Sequence, residues 1–161
     1  MQPTVAPPKK SLKFLWIVIP AVLLTVATFA LAIGFIVKIN DKTAGVDIVA
    51  VETAVKATSP NISDLWADVT ADGFGHGMYV HLTFTTDTVS YQELESILNA
   101  AYSNSVGKVQ NIQVRAVPVA DKDKSIDLEP VADKLGIPYT GSSIKWSLTY
   151  STLDLKERFG E

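Results

Sequence analysis

The sequence contains no cysteine. That absence excludes disulfides, thiolate metal sites and cysteine nucleophiles together. Histidine is scarce too, with His76 and His81 as the only two. A zinc site needs ligands that converge on one point, and the odd spacing of these two puts them on opposite sides of any continuous strand. Neither a G-x-S-x-G elbow nor an H-E-x-x-H zinc helix is present. Carboxylate pairs do occur, but Asp121 with Asp123 alternates with lysines in a loop, and Glu93 with Glu95 falls on a solvated helix face. No metal and no cofactor are expected, and the chain reads as a non-enzyme.

Charge is unevenly missing. No acidic residue precedes Asp41, so residues 1–38 carry +4, whereas residues 39–161 carry −7 and the whole chain −3. The acidic part has no basic footprint for nucleic acid. With no disulfides, the roughly 115 residues beyond the linker must be held by their own core, which that length permits. An unstapled outer domain suits a bacterial cell envelope better than a secretory-pathway ectodomain.

What is present in strength is an uncharged run from Phe14 to Val37. As a helix it would extend about 36 Å at ~1.5 Å per residue, enough to cross a hydrocarbon core about 30 Å thick. Lys9, Lys10 and Lys13 precede it, against Lys38 and Lys42 after it. This bias places the N-terminus in the cytoplasm and the rest of the chain outside. Phe14, Trp16, Pro20, Leu24, Phe29, Phe35 and Val37 mark the expected anchor, with Trp16 at the interface and Pro20 near the helix end, where it is tolerated. Ala30 and Gly34 fit a small-xxx-small helix-packing pattern. The competing reading is a signal peptide cut after Ala32, but the apolar run continues through Val37 and is long for that role. The organisation expected is a disordered cytoplasmic tail (1–13), a transmembrane helix (14–37), a linker (38–45) and an extracytoplasmic α+β domain (46–161).

Within that domain Gly45 to Thr58 fits either element, and its β-branched residues favour a strand near the start. Trp66–Thr70 and Met78–Thr85 read as a hairpin, with turn chemistry spread over Asp72 to Gly77. Met78, Val80, Leu82 and Phe84 alternate with Tyr79, His81, Thr83 and Thr85, which argues for one covered and one polar sheet face. Ser90 to Glu93 is a capping box opening a helix with Leu94, Ile97, Leu98 and Ala101 on one side. Val109–Val117 reads as a strand that Pro118 ends or places at an edge. Asp127 can cap a helix with Leu128, Val131, Ala132 and Leu135 as its stripe, stopped by Gly136 and Pro138. Ile144, Trp146, Leu148 and Tyr150 share a face of the final strand, and Leu155 and Phe159 anchor a short terminal helix.

Together these elements predict a two-layer α/β sandwich, with two helices on one face of a four- or five-stranded, mostly antiparallel or mixed sheet. A ferredoxin-like split β-α-β arrangement is one form of it. The candidate partner contacts are Phe74 at the hairpin tip, Tyr79 and His81 on the polar face, and Arg115 beside them. The expected function is that of a single-pass membrane protein, an accessory or assembly subunit of a membrane or envelope complex. Its partners would be the lipid bilayer and one or more membrane proteins. Two alternatives are a membrane-anchored module binding a small ligand, lipid or cell-wall fragment, and a hydrolase built around His81. The binding module would show a pocket between sheet and helices lined by Trp66 or Trp146.

Overall fold

The computed structural model describes residues 44–72, 75–141 and 146–160. The expected anchor, with the Ala30–Gly34 pair, and the candidate contact Phe74 lie outside these residues. Among the described residues no helix is long and apolar enough to cross a membrane. They all belong to one unit, which runs from Ile39 to Glu161.

That unit is an α+β domain. Helix α1 (Ile48–Lys56) leads into strands β1 (Ile62–Asp72) and β2 (Gly75–Phe84). Helix α2 (Tyr91–Ser103), strand β3 (Asn111–Pro118) and helix α3 (Glu129–Leu135) follow. The short strand β4 (Thr140–Gly141), strand β5 (Leu148–Ser151) and helix α4 (Thr152–Phe159) complete the domain. The five strands form one mixed sheet in the order β1-β2-β3-β5-β4. β1 and β2 pair antiparallel, β2 and β3 parallel through the α2 crossover, and β3 and β5 antiparallel. No strand separates β2 from β3, so the split β-α-β arrangement is not the one adopted.

The alternation expected on β2 is present, with Met78, Val80, Leu82 and Phe84 all buried. Across the ladder they meet Ala67 and Val69 of β1 and Ile112, Val114 and Ala116 of β3. These side chains join Val51 and Val55 of α1, the Leu94–Ile97–Leu98–Ala101 stripe of α2, Ala132 and Leu135 of α3 and Leu155 of α4 in one core. Each fully buried aliphatic contributes about 1.5–3 kcal/mol relative to exposure. The described helices number four, one more than the two sheet-packed helices and the terminal helix expected, and all four bury apolar residues in the same core.

Several local expectations are corrected. Residues 48–56 are a helix, not a strand. Asp47 Oδ1 accepts the Ala50 N–H at 3.1 Å, and Val51 and Val55, one turn apart, are fully buried. The helical spacing of two core valines outweighs β-branched propensity. Gly75, His76 and Gly77 belong to β2, not to a turn. A Cβ at Gly75 would lie 2.2 Å from Gln110 Oε1, and one at Gly77 would lie 2.4 Å from Asn111 Oδ1. These glycines are strand residues over which a neighbouring side chain lies. Pro118 closes β3, which is an interior strand, so the edge reading fails. Leu128 is the N-cap of α3, and Asp127 Oδ1 accepts from Glu129 N one position earlier than a cap would. Trp146 does not share a face with Leu148 and Tyr150. Its φ is +64° and it is 57% exposed, so the strand begins only after it. Ile144 lies outside the described residues.

Two charged side chains of α1 manage the free edge of β1. Glu52 Oε1 accepts the Ala67 N–H at 2.8 Å. Lys56 Nζ donates to the carbonyls of Ile62 and Ser63. A long edge strand is a template for unwanted pairing, and covering its polar groups with charged side chains removes part of that template.

Candidate functional site

With every described helix committed to one core, the other face of the sheet is partly open, with Thr83 and Val117 buried on it, and the ladder registers arrange it in rows. Thr70, Gly77 and Asn111 make the first row, and Asp68, Tyr79, Gln113 and Thr149 the second. Trp66, His81 and Arg115 make the third, and Asp64, Thr83 and Val117 the fourth. The sheet thus brings Tyr79, His81 and Arg115, drawn from two strands, onto one surface as expected.

Trp66, which was not among the expected contact residues, joins them on this surface. It does not line a pocket between sheet and helices but stands on the open face, 47% exposed. Its indole stacks on the imidazole of His81, with centroids 5.5 Å apart and planes 11° from parallel. Tyr79 closes the cluster, 5.2 Å from Trp66 and 6.4 Å from His81. The parity of β1 already carried this signal, since Trp66 alternates in step with Asp64, Asp68 and Thr70, whereas Ala67 and Val69 form the buried set. Trp146 is likewise exposed, so neither tryptophan lies in the helix-covered core.

The electrostatics favour a neutral His81. Its pKa is lowered, first by burial, then by the positive charges of Arg115 and Lys122, against a smaller raising effect of Asp64. Arg115 is held by its Nε, which donates to Ser125 Oγ at 3.3 Å in the loop that follows β3. Among the described residues no side-chain hydrogen bond orients the His81 ring. Among the same residues no group of three or more histidine or acidic side chains comes together to hold a metal.

A second feature lies one row away. Gly77 lies beneath the Asn111 side chain, and a pocket of about 230 Å³ opens beside it, lined also by Thr70, Tyr79, Asn111 and Gln113. Gln113 Nε2 donates to Ser147 Oγ at 2.7 Å, which fixes the amide at the rim.

The two glutamates read as a solvated pair have separate structural partners. Glu93 accepts from Ser59 Oγ at 2.6 Å, Asn61 Nδ2 at 2.8 Å and both the backbone and hydroxyl of Ser90. Burial pushes its pKa up, but these hydrogen bonds outweigh burial and hold it at about 2. Glu95 pairs with Arg158 at 2.6 Å and links α2 to α4.

No family model, curated protein or solved structure matches this chain.

Proposed function

We propose that the protein is a non-catalytic, single-pass membrane protein that works by contact through the open face of its sheet. In this reading residues 14–37 anchor it, the N-terminus is cytoplasmic and the α+β domain stands outside the membrane. It serves as an accessory or assembly subunit of a larger membrane or cell-envelope complex, such as an envelope or respiratory assembly. The observation that carries the proposal is the Trp66–Tyr79–His81 cluster beside Arg115. Tryptophan, tyrosine and arginine are the residues that most often dominate protein contacts. An exposed indole stacked on a neutral imidazole offers a flat, pre-ordered surface that loses little entropy on docking. Membrane confinement would add effective concentration for partners in the same plane.

The test is site-specific photo-crosslinking in native membranes, with the reactive group at Trp66 or Tyr79 and, as a control, at exposed Val49 on α1. Adducts with a membrane protein from the open-face positions and not from the control are expected. A chain that yields no adduct from the open face, or that leaves the membrane in carbonate, is not the anchored contact protein described.

A further inference from the structure

The dip beside Gly77 has a chemistry distinct from the aromatic cluster next to it. Its polar lining is Thr70, Tyr79, Asn111 and Gln113, with no formally charged side chain. Each primary amide carries one acceptor and two donors, and one donor of Gln113 is already fixed on Ser147 Oγ. Tyr79 borders the dip and stands 5.2 Å from Trp66 with the two rings tilted by 44°, so an angled aromatic platform continues from the pocket edge onto the open face. At about 230 Å³ the pocket is smaller than the roughly 300–1,000 Å³ usual for enclosed ligands. It would hold one ring of a longer molecule and leave the rest on the platform.

We infer that this pocket and platform form a subsite for a neutral, hydroxyl-rich glycan. A pyranose presents C–H bonds on its ring face and hydroxyl groups around its rim. The electron-rich faces of Tyr79 and Trp66 suit the first, and the Asn111 and Gln113 amides with the Thr70 hydroxyl suit the second. An anionic ligand is disfavoured, because no cation lines the pocket and residues 39–161 carry −7. A nucleobase would also stack, but it would bring phosphate into the same negative field. A lipid tail would leave the amides unpaired, at a cost in desolvation. The inference rests on the open face being the contact surface, and it names what part of that surface recognises.

The experiment uses the full chain in nanodiscs, with chitotetraose and cellotetraose as neutral probes and tetragalacturonate as the charged one. Saturation-transfer NMR should show a neutral tetrasaccharide bound with a Kd on the order of 1 mM, and tetragalacturonate at least about tenfold weaker. Gly77→Ala directs a methyl group toward Asn111 Oδ1, and Tyr79→Ala removes the edge of the platform. Each should weaken binding by about tenfold or more, with thermal unfolding within a few degrees of the parent. Equal affinity for charged and neutral glycans, full binding by the folded Gly77→Ala variant, or no transfer to either neutral probe overturns the inference. Retention of the full chain on insoluble wall polysaccharide assigns the glycan to the wall. Retention only on an intact, not a deglycosylated, membrane protein assigns it to a glycosylated partner, and retention on neither counts against the site. If open-face crosslinks persist while glycan binding is absent, the glycan inference falls alone; if both are absent, the contact reading falls with it.

Discussion

On β2, Met78, Val80 and Leu82 are buried, while Tyr79 and His81, each one residue away, stay half-exposed. The same backbone ladder builds both surfaces, and only the parity of the residue number separates them. On the helix-covered side every position is constrained by volume, because the core is shared by four helices and the sheet. On the open side Trp66, Tyr79 and His81 stay partly exposed, so volume constrains them less, and a stacked indole, a neutral imidazole and a small polar pocket coexist there. Stability should therefore depend mainly on one face and recognition on the other.

The largest expected effect comes from the covered side. Leu98 is fully buried, and Leu98→Ala should cost about 2–5 kcal/mol, read by urea unfolding of the full chain in detergent. An intermediate effect belongs to Glu93, which ties the start of α2 to the segment before β1. Its folded pKa of about 2 lies below the unfolded value of 4.5, so its contribution is present above pH 4.5 and is lost as pH falls toward 2. Glu93→Gln should cost on the order of 1–2 kcal/mol, discounted for solvent screening, and should flatten acid unfolding in that window.

On the open side the balance should reverse. Trp66→Ala loses an aromatic stack worth about 0.5–1.5 kcal/mol at most, yet it should abolish the crosslinks made through Tyr79. If Trp66→Ala unfolds the domain, the division between the faces is wrong. Tyr150 tests the covered face in the opposite direction, since its hydroxyl is buried without a hydrogen-bond partner among the described residues. Tyr150→Phe should leave stability unchanged or raise it by up to about 1 kcal/mol in thermal unfolding. The smallest effect is that of His81. Its folded pKa lies below the unfolded value of 6.5, so the unfolded chain takes up the proton first and stability declines as pH drops below about 6.5. Replacing His81 with Phe should remove that slope and keep the stack on Trp66.

Much of the covered face was legible from spacing alone. Leu94, Ile97, Leu98 and Ala101 repeat as a helical stripe, and Ser90 and Glu93 close their capping box as the pattern requires. The failures were of two physical kinds. At residues 48–56 the local preference for a strand conflicted with the burial of Val51 and Val55, and burial won. At Gly75 and Gly77 the glycines looked like turn residues, but their reason is a distant neighbouring segment, whose Gln110 and Asn111 side chains lie over them. No local signal reports a neighbour that is more than thirty residues away.

Sequence alone determined the elements whose cause is local. These are the alternation of β2, the capped stripe of α2, the Gly136 stop after α3 and the charge imbalance between the N-terminal run and the domain. Only the tertiary structure decided the strand order, the number of helices sharing the core, and the placing of Trp66 against His81 on the surface that also carries Tyr79 and Arg115. The physical reason is register. A strand's own sequence fixes which residues share a face, but hydrogen bonding between strands far apart in the chain selects which of those residues become neighbours.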